Sequence, residues 1–388
     1  MLALAADAPA QQVNEPPPKI DFPAWKLETE SETTVEYSIS FQSAIVTAVP
    51  ENNVVPLRIF LPKGKRPTPA VLVLHYLGAR DLKVERALAS RLNARGFAAA
   101  VMTLPYHLSR AAAGTSSGQF ALADDPRALA ARLAQSVSDA RRSIDFLISR
   151  PEIDASRIGI SGTSLGSIIS ALVFAVEPRL RSASFLLGGV DLAHIIWNSS
   201  RVVAVRDSMR RKGISEASLR LALQDVEPQN YLSKRTEGQT FVVGARYDTV
   251  MPPTDTEKLI KALKDPHVLW LETGHYGGIL VQRKLLGEVS DFFQADFEGR
   301  EFVAPKRVFA PTIRLGFVGS TGSSSAFDVG IGLDLFRSHS AHEVFGTALI
   351  TPRGPQAYLG WHIDKGFSIG FIGGARRVGA GLMWSTIL

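Results

Sequence analysis

Short apolar runs alternate with amphipathic, helix-like segments over about two-thirds of the chain, from about residue 33 to residue 297. Continuous apolar runs are typical of strands buried on both faces, and helical segments between them are typical of crossover connections. The strand-like runs are 54–61, 70–74, 98–103, 157–161, 183–187, 240–244 and 268–272. This alternation predicts the α/β class, a mostly parallel, doubly wound sheet covered by helices. Two earlier alternating runs, 34–41 and 43–49, predict an antiparallel hairpin at the sheet edge.

One connection in this pattern is unusually long. Residues 191–235 separate two strand-like runs, whereas a few residues usually suffice for a connection in such a sheet. Segments 195–209 and 216–226 have helix-like spacing of apolar residues. We expect them to form a helical cap over the carboxyl edge of the sheet, where open α/β folds bind ligands. The alternative is a pair of helices packed on the flank.

Residues 303–388 have a different character. They hold nearly half of the chain's 32 glycines, and six short runs with period-two alternation replace the helical patterns. The pattern predicts a separate, small all-β domain. Strands of outer-membrane barrels are similar, but six runs are fewer than the eight of a single-chain barrel, so closure is expected to need oligomerisation. We therefore expect a small soluble sheet with one face buried. Membrane contact is the less favoured alternative, and a homo-oligomer remains open.

Composition limits the classes of function. The chain has no cysteine, which excludes disulfides, thiolate metal sites and a cysteine nucleophile. Its net charge of +6 comes from scattered residues, so no nucleic-acid partner is expected. No apolar run approaches about 18 residues, so no spanning helix is expected. Residues 1–32 are interpreted as an N-terminal tail. Its small apolar residues 1–10 resemble the end of a signal peptide, which slightly favours export over a cytoplasmic location.

The segment that most specifically indicates function is Gly162-Thr163-Ser164-Leu165-Gly166, a G-x-S-x-G pattern. It follows a strand-like run and opens a helix-like segment, which is the context this motif requires. The serine then lies on a sharp turn, and glycines two residues away on either side leave room for it. Ser164 is therefore the predicted nucleophile.

A nucleophilic serine needs a base and a group that orients the base. His275 follows the last strand-like run and lies between glycines, whereas Asp248 follows the run 240–244. Asp191, which follows the preceding run, is the rival acid. The oxyanion hole needs a backbone donor from the loop after an early strand, and residues 75–78 are in the right place for it.

Together these residues resemble the α/β-hydrolase superfamily, within its esterase and dienelactone-hydrolase-like branches. The resemblance covers about residues 33–297, within a predicted α/β-hydrolase domain of residues 33–302, and it excludes the β-rich domain 303–388. It implies that Ser164 is the nucleophile, that His275 is the general base and acid, and that Asp248 orients His275. The implied oxyanion donors are the N–H groups of Leu165 and Leu77. Family members usually have His-Gly where this chain has His75 and Tyr76, which leaves Tyr76 as the alternative donor. His75 itself is expected to be a buried histidine that holds this loop through hydrogen bonds and does not act as a base.

The predicted activity is carboxylic-ester hydrolysis through a serine acyl-enzyme, with a small-molecule ester as substrate. No metal and no organic cofactor is expected. Trp197 and Ile196 of the predicted cap, together with His107, are the candidate substrate-binding residues; the alternative is that the cap residues form the cap's own core. Peptidase, thioesterase and acyltransferase reactions use the same triad. A different class of function, a surface-associated binding or assembly protein built around the β-rich domain, is the second hypothesis.

Overall fold

A computed structural model describes residues 13–64, 66–305, 307–308, 312–320, 327–337, 343–364, 366–374 and 377–387. The predicted signal-like segment, residues 1–10, lies outside them. Contacts divide the chain into two compact units. The first unit extends to Gly244 and includes Val250–Leu269 and Arg283–Lys306. The second unit combines Ala245–Thr249, Trp270–Gln282 and Arg307–Leu388.

The main sheet begins with antiparallel strands and continues with parallel ones. Its first nine strands are ordered β1-β2-β3-β5-β4-β6-β7-β8-β9. They are β1 (Lys26–Glu30), β2 (Thr34–Gln42), β3 (Val54–Pro62), β4 (Thr68–Leu74), β5 (Ala98–Met102), β6 (Ile153–Thr163), β7 (Leu180–Leu186), β8 (Gln239–Ala245) and β9 (His267–Leu271). Pairing is antiparallel from β1 to β5, through β2 and β3, and parallel from β5 through β4, β6 and β7 to β8. A two-residue strand, β10 (Arg307–Val308), pairs in parallel with the end of β9.

Nine α-helices lie between or after these strands in the described part of the chain. They are α1 (Lys83–Ala94), α2 (Pro126–Ile148), α3 (Leu165–Val176), α4 (Leu192–Asn198), α5 (Val203–Arg211), α6 (Glu216–Ala222), α7 (Gln229–Leu232), α8 (Pro253–Leu263) and α9 (Gln282–Phe297). At the start of α2 the Asp125 carboxylate accepts a hydrogen bond from Ala128 N–H, and Pro126 occupies the first turn. None of the described helices is both long and apolar enough to cross a membrane.

Burial explains why the central strands are so apolar. Every residue of β4 and β5 is buried, as expected for strands covered on both faces. The helix α3, which follows β6, packs against β6 and β7. It starts directly at the carboxyl end of β6, so the chain turns sharply at Ser164.

Three expectations for the first unit need correction. The N-terminal tail predicted for residues 1–32 includes Lys26–Glu30, which form strand β1 of the main sheet. Residues 43–49 are not a strand, and β2 pairs instead with β1 and β3. The segment 195–209 is not one helix, because α4 ends at Asn198 and α5 begins at Val203. Within the long connection α6 packs against α2 and α4, and α7 packs against α3 and α8. That these helices form a cap over the sheet edge stays a prediction.

The C-terminal strands form a closed antiparallel barrel, β11-β12-β13-β14-β15-β16. These strands are β11 (Thr312–Ser320), β12 (Phe327–Arg337), β13 (Val344–Thr351), β14 (Gly354–Asp364), β15 (Phe367–Gly374) and β16 (Arg377–Ile387). Each strand pairs with the next, and β16 pairs with β11. The predicted all-β domain is confirmed. The expectation that closure needs oligomerisation was wrong, because the six strands close into a barrel within one chain.

Glycine on the inner face explains how six strands can close. The radius of a barrel falls with its number of strands, so little space remains inside. A Cβ atom on Gly316 would lie 2.1 Å from the backbone oxygen of Trp384, and one on Gly370 would lie 2.0 Å from that of Leu359. Both distances are far below a van der Waals contact, so these positions require glycine. Tyr358 and Phe345, both buried, fill part of the remaining interior.

Candidate active site

Ser164 occupies a strained turn between β6 and α3. Its φ of 55° and ψ of −114° are unusual for a residue other than glycine. The turn is held by hydrogen bonds on both sides: Ser164 N–H donates to Leu186 O at 2.8 Å, and Ser167 N–H donates to Ser164 O at 2.9 Å. This is the geometry of a nucleophile elbow, which presents a serine at the end of a strand.

The two glycines of the motif are required by close backbone approaches. A Cβ atom on Gly162 would lie 2.1 Å from Gly166 O, so the turn could not close with any other residue there. A Cβ atom on Gly166 would lie 2.4 Å from Leu74 O, at the end of β4. The sequence motif therefore reflects packing of α3 directly onto the end of the neighbouring strand, which also brings Leu165 to the first turn of α3. In that turn backbone N–H groups have no partner within the helix.

The loop after β4 is held by two buried histidines. Leu104 N–H donates to His75 Nε2 at 3.0 Å, and Gly78 N–H donates to His107 Nε2 at 3.0 Å. Both Nε2 atoms are therefore acceptors, so each Nδ1 carries the proton. His75 Nδ1–H donates to Tyr76 O at 2.9 Å, and His107 Nδ1–H donates to Pro105 O at 2.8 Å. These bonds fix the backbone of residues 75–78.

Both histidines stay neutral near pH 7. Burial lowers the pKa of His107 to about 4. Burial, together with the adjacent His107, lowers the pKa of His75 to about 3. Since Gly78 N–H is engaged by His107, the candidate oxyanion donors in this loop remain those named from the sequence, Leu77 and Tyr76, both half-buried.

A second loop supports the first, and no pattern in the sequence indicates it. Ser117 Oγ–H donates to Ala79 O, while Leu108 N–H donates to Ser117 Oγ at 3.0 Å. A Cβ atom on Gly118 would lie 2.7 Å from His107 Nε2, so only glycine fits against that ring. The neighbours of His107, Tyr106 and Leu108, have positive φ values of 62° and 48°. Strain of this kind persists only where the surrounding contacts impose it.

His107 was named from the sequence as a substrate-binding residue, and the structure gives it a positioning role. Its side chain is fully buried, and its two ring nitrogens bond to the backbone of residues 78 and 105. Contact between His107 and a substrate stays a prediction.

We expect His107→Gln to lower kcat for ester hydrolysis by about 10- to 100-fold, because loosening Gly78 displaces the backbone donors beside it. KM should change less, since the ring does not need to touch the ester. The measurement is steady-state kinetics with a p-nitrophenyl ester. His267→Gln, a half-buried histidine at the start of β9, is the matched control and should leave kcat within a few-fold. Equal kcat in wild type and His107→Gln would contradict the positioning role.

The pH dependence of unfolding gives a second readout for the same variant. The folded-state pKa of His107, about 4, lies below its ordinary value of 6.5. The unfolded chain therefore binds a proton that the folded chain excludes, and wild type loses stability as pH falls from 6.5 towards 4. His107→Gln lacks this loss. Between pH 8 and pH 5 the free energy of unfolding of wild type should fall by about 2 kcal/mol more than that of the variant, measured by urea titration.

His275 and Asp248 form a direct pair in the second unit. His275 Nδ1 lies 2.7 Å from Asp248 Oδ2, and both side chains are almost fully buried. The two loops that carry them are joined by backbone bonds: Arg246 N–H donates to Leu271 O at 3.0 Å, and Tyr247 N–H donates to Thr273 O at 3.1 Å. A carboxylate on Nδ1 holds the tautomer in which Nε2 can accept a proton, as a general base requires.

The rival acid, Asp191, is engaged elsewhere. Lys258 Nζ lies 2.7 Å from Asp191 Oδ2, and Arg220 contacts Asp191 Oδ1. Burial alone would raise the pKa of Asp191, but the hydrogen bonds from Lys258 and Arg220 lower it below its usual range. The carboxylate also accepts from His194 N–H at 3.3 Å, which caps α4.

A second histidine–carboxylate pair lies close to Asp191. His194 Nδ1 lies 2.8 Å from Asp255 Oδ2, and Lys258 bonds to the other oxygen of Asp255 at 2.9 Å. The pair was not foreseen, because the two residues are far apart in sequence. Among the described residues no group of three or more histidine, aspartate or glutamate side chains could hold a metal ion.

The predicted cap residues Ile196 and Trp197 lie on α4. Ile196 is buried in the main hydrophobic cluster, and Trp197 packs against that cluster while remaining partly exposed. The Arg210 guanidinium lies 5.2 Å from the centre of a Trp197 ring, a cation–π contact within the connection itself. Their contact with a substrate stays a prediction.

Solved structures of known proteins share the fold of this chain. No protein-family model and no curated protein sequence matches the chain. An acetyl xylan esterase from Paenibacillus sp. R4 is similar in structure, with a TM-score of 0.56, 19% identity, and coverage of 70% of this chain and 88% of that one. An acetyl xylan esterase from Thermoanaerobacterium sp. JW/SL YS485 has a TM-score of 0.50, 18% identity, and coverage of 69% and 88%.

A cold-adapted esterase from an Arctic intertidal metagenomic library is also similar, with a TM-score of 0.50, 15% identity, and coverage of 71% of this chain and 99% of that one. At such identities the likeness shows the fold. The α/β-hydrolase fold expected from the sequence is therefore confirmed, and the chain carries in addition a separate C-terminal six-stranded antiparallel barrel.

Proposed function

We propose that the chain is a carboxylic-ester hydrolase that works through Ser164, His275 and Asp248 and a serine acyl-enzyme. The observation that carries the proposal is the strained elbow at Ser164, with its φ of 55° between two obligatory glycines. Strain of this kind is maintained where a side chain must be presented for chemistry. The 2.7 Å contact of His275 Nδ1 with Asp248 Oδ2 supplies a base with the required tautomer.

The proposed reaction has two halves. The Ser164 hydroxyl attacks the ester carbonyl carbon while His275 Nε2 takes its proton, and the carbonyl oxygen becomes an oxyanion. As the tetrahedral intermediate collapses, His275 returns the proton to the leaving alkoxide, which departs as an alcohol. Water then gives a proton to His275 and attacks the acyl carbonyl carbon, which forms a second tetrahedral intermediate. When that intermediate collapses, the bond to Ser164 Oγ breaks, His275 returns the proton to Oγ, and the carboxylic acid is released. Backbone N–H groups of Leu165 and of Leu77 or Tyr76 stabilise both oxyanions.

Ester hydrolysis is preferred over other reactions of the same triad for one reason. The solved structures of similar fold carry esterase names, which supports hydrolase activity on small esters in general. Peptidases, thioesterases and acyltransferases use the same three side chains, so the acyl and leaving groups must be identified by experiment. The partly exposed ring of Trp197 favours an uncharged group beside it.

Labelling with a fluorophosphonate, followed by peptide mapping, tests the proposal. The probe reacts only with an activated serine, so we expect one labelled peptide, carrying Ser164. A panel of p-nitrophenyl esters from acetyl to lauroyl, assayed in parallel, should show an optimum chain length. A folded protein that is neither labelled nor active on any ester would refute the proposal. Activity on thioesters or amides alone would replace the ester with another acyl donor.

A further inference from the structure

The outer surface of the C-terminal barrel is apolar on all six strands. Large apolar side chains are exposed on every strand, although exposed positions in water normally favour polar residues. The exposed residues are Leu315, Phe317, Val329, Ile331, Leu333, Leu335, Ile350, Leu359, Trp361, Ile363, Phe367, Ile369, Phe371, Val378, Leu382 and Trp384. Among the barrel-strand side chains that the structure describes, no exposed one is charged or polar.

The polar residues of the barrel point inward instead. Arg314 Nε lies 2.7 Å from Asp334 Oδ1 and 2.9 Å from Asp334 Oδ2, and both side chains are buried. Thr347 donates to the same carboxylate, and Arg314 Nη1 donates to Ser385 Oγ at 3.1 Å. The barrel is therefore inverted relative to a water-soluble one, with an ion pair inside and an apolar exterior.

An apolar surface of this extent needs a covering medium. Monomeric soluble proteins rarely expose contiguous apolar patches larger than a few hundred Å². A second copy of the chain or another protein would cover one sector of the barrel. The exposed residues extend around the whole circumference, since each of the six strands contributes to them. A surrounding solvent of hydrocarbon covers all sectors at once, and lipid acyl chains provide it.

The dimensions of the barrel fit a bilayer. A tilted β-strand needs about 9–11 residues to cross the hydrocarbon core. The barrel strands have 8 to 11 residues, and three of them, β12, β14 and β16, have 11. Each of the six strands pairs with two neighbours, so the barrel has no free edge, and a lipid environment requires this because it offers no hydrogen-bond partner for such an edge.

Exposed aromatic residues lie on four neighbouring strands of the barrel, β14, β15, β16 and β11. Phe367 opens β15 and is paired in register with Trp384, while Trp361 lies near the end of β14, on the other side of β15. Phe317 is the register partner of Trp384 on β11, and their rings lie 6.2 Å apart. Trp361 and Trp384 each lie three residues inside a strand end, at Asp364 and Ile387, so a bilayer that covers the barrel would place both rings in the outer part of its hydrocarbon core.

We propose that the C-terminal barrel inserts into the hydrocarbon core of a lipid bilayer, with acyl chains covering its outer face. The inference reverses the preference drawn from the sequence for a soluble sheet. It does not depend on ester hydrolysis, because it concerns residues 312–387 and none of the proposed catalytic groups.

The first test is co-flotation of the full chain with phosphatidylcholine vesicles formed by detergent removal in its presence. We expect most of the protein to float with the vesicles and to stay bound after washing with high salt and alkaline carbonate. Those washes release proteins held only by surface charge. Wild-type protein that remains at the bottom of the gradient in folded form overturns the proposal.

Bilayers containing lipids brominated on the acyl chain give a direct readout of depth. They should quench the fluorescence of Trp361 and Trp384, whereas the chain's other tryptophans, Trp25, Trp197 and Trp270, should keep theirs. In Trp361→Phe/Trp384→Phe the quenching should disappear while co-flotation remains. Unquenched fluorescence in wild-type protein that floats would mean that the barrel stays outside the hydrocarbon, and would also overturn the proposal.

A charge on the outer face provides the mutational test. Ile331→Arg/Phe371→Arg places two cations near mid-strand on the exterior, which should lower the vesicle-bound fraction at least about tenfold. Leu221→Arg, at an exposed leucine of α6, is the matched control and should bind as wild type does. If the double variant instead dissociates a discrete, lipid-free oligomer seen by light scattering, the surface is a protein interface and the proposal is wrong.

Discussion

Replacing Ser164 by alanine is expected to lower kcat for hydrolysis of p-nitrophenyl esters by about 10⁴- to 10⁶-fold. The loss should be this large because, in the proposed mechanism, the acyl-enzyme forms on the Ser164 oxygen, and alanine offers no group that could replace it. Residual hydrolysis would come from the oxyanion donors and substrate binding alone. Burst kinetics measure the effect most directly, since the variant should show no rapid release of p-nitrophenol.

The fold of Ser164→Ala should be preserved. Alanine keeps the backbone of the turn, and the hydrogen bond from residue 164 N–H to Leu186 O uses no side-chain atom. Ser156→Ala, at an exposed serine on the same strand β6, is the matched control and should retain wild-type kcat. Loss of fluorophosphonate labelling in the Ser164 variant, with labelling kept in the Ser156 variant, would complete the assignment. Wild-type turnover in Ser164→Ala would exclude this serine as the nucleophile.

The α/β domain was predictable because its signals are local and consistent. Strands buried on both faces, such as β4, need continuous apolar runs, and the helix α2 begins with a recognisable Asp125-Pro126 cap. The elbow was predictable for the same reason: Gly162 and Gly166 are required by contacts within a few residues and with the adjacent strand end. In each case the residue type that the local sequence pattern predicts is also the one that packing in the folded structure requires.

The predictions from the sequence failed where pairing between strands that are distant in sequence decides the structure. Residues 43–49 alternate as a strand would, but β2 already has neighbours on both sides, β1 and β3. In the β-rich domain, alternation was visible but closure was not. Whether six strands close depends on which face each glycine occupies around the ring, and that is set by register between strands rather than by any one strand.

The hydrogen bonds that hold the two loops of the candidate site could not be predicted for a related reason, because their partners are distant in sequence. The expectation that His75 is a buried histidine holding the oxyanion loop through hydrogen bonds is confirmed, but its partner Leu104, 29 residues away, could not be predicted. The bond between His107 and Gly78, also 29 residues apart, could not be predicted either. A glycine such as Gly118 resembles any loop glycine in sequence. Only the approach of the His107 ring explains it.

The choice between Asp248 and Asp191 was left open by the sequence, because both follow strand-like runs. The structure provides a physical basis for deciding. Asp248 accepts a hydrogen bond from Nδ1 of His275, the predicted base, whereas the carboxylate of Asp191 forms ion pairs with Lys258 and Arg220. A carboxylate already shared between two cations is poorly suited to stabilise an imidazolium.

Asp248→Asn is therefore expected to lower kcat by about 10³- to 10⁴-fold, with little change in KM. The amide can present its N–H to His275 Nδ1, which forces the proton onto Nε2 and leaves no lone pair to accept the serine proton. Asp191→Asn, the matched control, removes the ion pairs with Lys258 and Arg220 and should leave kcat within about threefold while lowering stability. Steady-state kinetics and urea unfolding of both variants separate the two roles. A large loss of kcat in Asp191→Asn with activity retained in Asp248→Asn would reverse the assignment and would mean that the acid follows β7.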